Sequence, residues 1–285
     1  MDKLIETCLW PACVKTHEFA GQINAAVAGG FDALAIGGLT WRTLQSQQLT
    51  AADVRALANS HGIVLGHYDG FTDWAPARFD ETIPDAAKAV FDFDTYEVLD
   101  VCAALGLHSV GATGAYAPGR FSLNQLADGF GAFCERAAAY GLWVDLEFIP
   151  FWGIPDLASA WDIVSASGAK NAGILFDTWH FCRGTEDSDL LASLPTHAIT
   201  AIQVAGGQRP DIHMPLIDEC LSLRTAPGAG DLDIGPALRL LARQQNVRSI
   251  GPEVFSDALD SLAAEEAGEQ MARGLQFALR QMNRV

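Results

Sequence analysis

Short apolar runs alternate with amphipathic stretches from one end of the chain to the other, eight of each. The runs Leu4 to Leu9, Ala33 to Ile36, Val64 to His67, Ser109 to Ala112, Trp143 to Glu147, Gly173 to Phe176, Ala201 to Val204 and Ile250 to Val254 are the predicted strands. Most are nearly continuous in apolar residues, as strands covered on both faces must be, whereas a sheet with one wet face alternates. Between them, Leu123, Leu126, Phe130, Phe133, Ala137 and Tyr140 recur at steps of three and four, which predicts a helix with one face on the sheet. The segment Leu259 to Met282 predicts a closing helix, with Met271, Leu275, Ala278 and Met282 on one stripe. Glycines at Gly29-Gly30, Gly62, Gly106, Gly141 and Gly168 precede strands as helix C-terminal caps do. Eight strand and helix units predict an α/β fold, a single (β/α)8 TIM barrel domain over residues 1–285. An open doubly wound sheet fits less well. Its glycine-rich phosphate turn is missing after the first strand, which ends Cys8-Leu9-Trp10-Pro11.

Composition narrows the partners. Hydrophobic residues at 49% supply a large core, so the chain is not of the disordered type. Thirty-five acidic against eighteen basic residues give a formal charge of -17, which repels nucleic acid and anionic membranes alike. The start, Met1-Asp2-Lys3-Leu4, carries an acid where an export signal has bases, and no apolar run reaches the roughly 18 residues that span a bilayer. A soluble, cytoplasmic protein is expected. Six cysteines lack any C-x-x-C spacing and read as reduced packing thiols.

Candidate chemistry lies at the strand ends. Glu147 closes the run Val144-Asp145-Leu146-Glu147, and Asp177 closes Gly173-Ile174-Leu175-Phe176-Asp177 one strand-helix-strand unit later. Gln203 sits inside Ala-Ile-Gln-Val-Ala and Glu253 inside Gly-Pro-Glu-Val-Phe. In parallel α/β folds the carboxyl ends of strands form the rim on which chemistry is done, so these four should converge. Three carboxylates and an amide oxygen suit a hard or borderline divalent ion, Mn²⁺, Mg²⁺ or Co²⁺, with Zn²⁺ as an alternative. Each residue has a plainer reading: an ion pair for either glutamate, a helix cap for Asp177, an internal hydrogen bond for Gln203. His180, three residues after Asp177 in an expected loop, either reaches the same mouth or packs between Trp179 and Phe181. Arg224 precedes Thr225-Ala226-Pro227-Gly228-Ala229-Gly230-Asp231, whose glycines let backbone approach a ligand; it clamps a substrate carboxylate or forms a surface ion pair. The indoles of Trp10, Trp41, Trp74 and Trp152 are candidates to stack on a substrate face, Trp152 foremost.

At Glu147-Phe148-Ile149-Pro150, Asp177-Thr178-Trp179-His180-Phe181-Cys182-Arg183, Gln203 and Arg224-x-x-Pro227-Gly228-x-Gly230-Asp231, the chain resembles the sugar phosphate isomerase/epimerase family of xylose isomerase-like barrels. The resemblance implies that Glu147, Asp177, Gln203 and Glu253 hold a divalent metal, that Glu147 and Glu253 also move protons, and that His180 and Arg224 contact substrate oxygens. It implies an isomerase or epimerase of a ketose or related polyol, abstracting a proton beside a metal-bound carbonyl through an enediolate. The alternative is a metal-dependent dehydratase, a lyase acting on a cyclic keto-polyol or keto acid such as an inosose or 3-dehydroshikimate. A non-catalytic sugar-binding barrel and a homo-oligomeric assembly stay open. Two departures stand out: Gln203 occupies a place where ketose 3-epimerases usually carry His, and Ala205-Gly206-Gly207 lacks the acid that many relatives have there. The scarcity of strand-end histidines and the negative charge set aside the endonuclease branch.

Overall fold

The structure, a computed structural model, describes residues 5–81, 83–208 and 213–283. Leu4, expected to open the first strand, lies outside them. Eight parallel strands close into a barrel: β1 (Glu6–Leu9), β2 (Ala33–Gly37), β3 (Val64–Phe71), β4 (Ser109–Ala112), β5 (Trp143–Glu147), β6 (Ala172–Asp177), β7 (Ile199–Val204) and β8 (Ser249–Pro252). The ring shuts where Glu6 pairs with Ser249 and Thr7 with Ile250. Alternation along each strand explains why the runs are apolar throughout. Leu34, Ile36, Val144, Leu146, Ile174, Phe176, Ile202 and Val204 face the helices, while Cys8, Trp10, Ala33, Ala35, Leu175 and Ala201 pack together as a separate cluster, the filled interior that such a barrel requires.

The predicted glycine caps are present: Gly30, Gly106 and Gly168 each end a helix in the left-handed conformation, at φ of 67°, 72° and 65°, which only glycine adopts without cost. The first helix (Phe19–Gly29) and the last (Ala264–Met282) lie so close that a Cβ on Gly268 would stand 1.9 Å from the Ala25 carbonyl oxygen. Three expectations need correction. The closing segment is two helices, Asp257–Asp260 and Ala264–Met282, because Ser256 caps a short turn that Ser261-Leu262 interrupts. The helix at Leu123–Ala139 buries Leu126, Phe130, Phe133 and Ala137, but Leu123 and Tyr140 at its ends are exposed. The helices number more than eight, since short ones such as Asp85–Phe91, Thr178–Arg183 and Leu216–Ser222 build up the loops after the strands. All six cysteines are free. Among the described residues no helix is long and apolar enough to cross a membrane.

Candidate active site

The four strand-end residues meet. Cα pairing sets Asp177 opposite Gln203 and Gln203 opposite Gly251. Glu253 follows β8 by one residue rather than lying within it, and still turns inward. Arg224 Nη1 donates to Asp177 Oδ2 at 2.7 Å and to Glu253 Oε2 at 3.3 Å, while Gln203 Nε2 donates to Glu253 Oε1 at 3.0 Å. Ligand atoms of Glu147, Asp177 and His180 all lie within 4.8 Å of one another. Above this floor opens a cavity of about 340 Å³ whose walls are apolar, with Phe91, Ile149, Trp152, Leu221 and Phe255 among them. Trp152 is the only one of the four candidate indoles on that wall. Trp10 fills the barrel interior, Trp41 is core, and Trp74 donates its indole N–H to the Thr113 carbonyl oxygen at 2.8 Å.

Local chain chemistry places each group. His180 is not in a loop: it lies in the helix Thr178–Arg183, whose N-cap is Asp177, with Asp177 Oδ1 accepting the His180 N–H at 2.9 Å. Asp177 therefore caps a helix and faces the site at once, since its second oxygen meets Arg224. Arg224 belongs to a two-residue antiparallel ribbon, Arg224–Thr225 against Gly206–Gly207. The glycines near it serve the chain's own packing rather than a ligand's approach. A Cβ at Gly230, where φ is 89°, would stand 2.4 Å from the Gly207 carbonyl oxygen, and one at Gly206 would crowd the Ala226 and Ala229 carbonyls. Arg224 is 1% exposed, which excludes a surface ion pair. Its remaining donors reach the Cys220 carbonyl oxygen at 3.2 Å, Cys220 Sγ at 2.9 Å and His180 Nε2 at 3.2 Å. So fully engaged, it holds the floor together and lines the cavity from below.

Sequence reasoning passed over Asp69. β3 runs through it to Phe71, not stopping at His67 as expected, and Asp69 lines the same cavity. Four acids thus face one buried cation, and burial acts on all of them. Loss of hydration pushes the Glu147 and Glu253 carboxyls well above the usual range. The charges of Asp177 and Asp69 add to this for Glu147, and those of Glu147 and Asp69 for Glu253, against the pull of Arg224. Asp69 is pushed up to about 7, first by burial. For Asp177 burial is outweighed by Arg224 and His180, and its carboxyl is lowered. Burial takes His180 down to about 3, so its ring is neutral. Because Arg224 donates to Nε2, that nitrogen's lone pair is taken by the guanidinium and the ring proton sits on Nδ1, which is buried with no hydrogen-bond partner among the described residues.

These residues fit a divalent cation. The Gln203 Oε1 atom is buried with no hydrogen-bond partner among the described residues, a state that costs on the order of 1–3 kcal/mol unless something else meets the oxygen. Like charges crowded without a cation must take up protons, as the raised carboxyls do. Glu147, Asp177, Gln203 and Glu253, with His180 adjoining, supply the oxygen-rich set that hard and borderline ions take.

Over residues 23–281 the sequence matches the family of xylose isomerase-like TIM barrels, and the chain belongs to that family. Within it, a curated relative is a 3-dehydroshikimate dehydratase of Pseudomonas aeruginosa, 26% identical over 238 residues, which are 83% of this chain and 36% of that protein. The chain thus spans little more than a third of that relative's length. Among solved structures, a zinc-bound IolI protein superposes with a TM-score of 0.82 at 16% identity, covering 99% of this chain and 100% of that one. A fusion of a xylose isomerase-like TIM barrel with a 4-hydroxyphenylpyruvate dioxygenase superposes with a TM-score of 0.81 at 19% identity, covering 98% of this chain and 43% of that one. At such identities these two establish likeness of fold.

Proposed function

We propose that the chain is a divalent-metal-dependent dehydratase of a cyclic keto acid or keto-polyol, of the chemical kind represented by 3-dehydroshikimate. The observation that carries this reading is the placement of two buried carboxyl side chains, Glu147 and Glu253, together on the floor of an apolar-walled cavity. Dehydration beside a carbonyl needs one group to take a proton from carbon and another to give one to the departing hydroxyl. One of Glu147 and Glu253, as carboxylate, removes the proton on the carbon next to the carbonyl. The proton so gained passes to the β-hydroxyl, directly or by way of the other carboxylate, and the hydroxyl leaves as water as the carbon-carbon double bond forms. A divalent ion, when bound by Glu147, Asp177, Gln203 and Glu253, supplies positive charge to offset the negative charge developing on the substrate. Arg224 fixes the positions of Asp177 and Glu253, and His180 offers a neutral ring to a substrate hydroxyl.

Two features favour a ring over an open-chain sugar. The walls of Phe91, Ile149, Trp152, Leu221 and Phe255 present carbon, against which the C–H face of a ring packs with its hydroxyls at the rim, whereas an extended ketose turns hydroxyls to every side. The match to the Pseudomonas dehydratase supports the same choice. A second reading, an isomerase or epimerase of a ketose or polyol, uses the same two carboxyls to remove and return a proton on carbon. Incubation with Mn²⁺ in heavy water separates them: dehydration yields a product lighter by one water, isomerisation a product that loses no water and is heavier only by the deuterium it carries on carbon. Neither change with 3-dehydroshikimate, inososes or ketoses would remove both readings. Glu147→Gln and Glu253→Gln should each lower turnover by about 10² or more with the fold intact, whereas wild-type rates in either would sink the two-carboxyl scheme.

A further inference from the structure

At the end of the barrel opposite the mouth, a second set of ligand-type side chains converges. Glu6 opens β1, His67 lies midway along β3 and His108 immediately precedes β4. Glu6 Oε1 accepts from His67 Nε2 at 2.9 Å and lies 3.2 Å from His108 Nε2. The three ligand atoms lie within 4.8 Å of one another. A tetrahedral ion with bonds of about 2.0–2.2 Å holds its ligands roughly 3.3–3.6 Å apart, so the trio has to open only slightly to receive one.

We propose that Glu6, His67 and His108 form a second metal site, for a borderline divalent ion such as Zn²⁺ or Co²⁺. Two imidazoles and one carboxylate select such ions over Mg²⁺, unlike the oxygen-rich mouth. The site is built. A Cβ on Gly66 would stand 2.9 Å from His108 Cε1 and 3.0 Å from Glu6 Oε1, so only a glycine leaves space for the trio. The other nitrogen of His67, Nδ1, meets Ser109 Oγ, and the Trp10 ring packs 5.2 Å from the imidazole. Hydrogen bonding at the distal nitrogen is how ligating histidines are oriented. When the ion binds at His67 Nε2, the ring proton resides on Nδ1 and that N–H donates a hydrogen bond to Ser109 Oγ. Access is from solvent: the His67 side chain is 1% exposed, but those of Glu6 and His108 are 23% and 40% exposed. Three ligands leave a fourth position to water. The ion would tie β1 to β3 and β4, neither of which pairs with it in the sheet, and so brace the barrel floor.

The test is Zn²⁺ titration of chelator-stripped protein by calorimetry, with melting temperature followed in parallel, for wild type and His108→Gln. His108 is half-exposed, so its replacement should leave the fold intact. The expected result is one fewer Zn²⁺ per chain in His108→Gln and loss of the part of the Zn²⁺-dependent rise in melting temperature that the site provides. In Glu147→Gln/Glu253→Gln, whose mouth is disabled, one Zn²⁺ should remain, and Co²⁺ there should give the strong visible absorption of a nitrogen-rich, low-coordinate site. Equal stoichiometry and affinity in wild type and His108→Gln would overturn the proposal. Should the double variant fail to fold, the single variant decides alone.

Discussion

At the scale of single residues, the barrel separates chemistry from support. Near the floor, Asp145 Oδ1 and Oδ2 accept from Arg248 Nη2 at 2.7 and 2.9 Å, and Oδ1 also accepts from Thr200 Oγ1 at 2.6 Å. Both charged side chains are nearly buried, and removing one partner of such a pair leaves the other charge uncompensated. Arg248→Met should therefore cost about 3–5 kcal/mol of stability in urea unfolding, while turnover per folded molecule stays near wild type. A large fall in turnover with little loss of stability would show instead that this pair serves the mouth. The same scale explains which site positions the sequence disclosed. Glu147, Asp177 and Gln203 end or nearly end apolar runs, so their positions on the rim were legible. Asp69 was not, because irregular pairing of β3 with β2 and β4 breaks the pattern. The expected strand stops at His67, so Asp69, two residues further on, reads as loop although the strand continues to Phe71. Arg224 was visible as a candidate, but its burial depends on a ribbon formed with Gly206–Gly207, a contact no local pattern announces.

At the scale of elements, helix ends carry signals strong enough to test. Asp94 caps the helix Thr95–Leu105: its Oδ1 accepts from the backbone of Tyr96 at 2.8 Å and of Glu97 at 2.9 Å, and Glu97 Oε2 accepts the Asp94 N–H in return at 2.7 Å. Asp94→Ala should cost about 1 kcal/mol, within the usual range for a lost cap, with Asp94→Ser recovering most of it; equal unfolding midpoints for all three proteins would refute the cap's contribution. The left-handed glycines and the apolar runs repeat in order, which is why the closed barrel could be read from sequence, whereas caps of this sort play no part in that reading. The short mouth helices could not. Thr178–Arg183 has six residues, too few for a periodic stripe, and it exists because Asp177 supplies the cap while Trp179 and Phe181 find a core. The helix turns His180 toward Glu147, with Nε2 and Oε1 3.4 Å apart, a placement that a loop would leave to chance.

For the whole molecule, the concentration of acids at one end of the ring makes stability depend on pH and on cations together. Glu147 and Glu253 titrate well above the usual carboxylate range and Asp69 near 7 in the folded, ion-free chain, against about 4 when unfolded. Between those limits these three carboxyls hold more protons in the folded state than in the unfolded one, so their contribution falls as pH rises from about 4 through about 7, while His180 and His67, kept neutral by burial, work against it below about 6.5. Asp177, lowered, works in the other sense, as does Glu6: burial raises its carboxyl, but hydrogen bonds with His108 and His67 outweigh this and bring it down to about 2. Their contributions are present above about 4 and are lost as pH falls below it. The ion-free protein should thus melt highest in mildly acidic solution. On the proposed function a divalent ion takes the place of the retained protons, so Mn²⁺ binding should release them, and the rise in melting temperature it causes should grow from about pH 5 to about pH 8. Scanning fluorimetry across that range with and without Mn²⁺, and proton release in weak buffer, measure both effects. Glu147→Gln/Glu253→Gln removes the two most strongly raised carboxyls and should flatten the ion-free pH profile. A Mn²⁺ effect independent of pH in the wild type, or unaltered in the double variant, would mean that the ion binds somewhere other than the mouth.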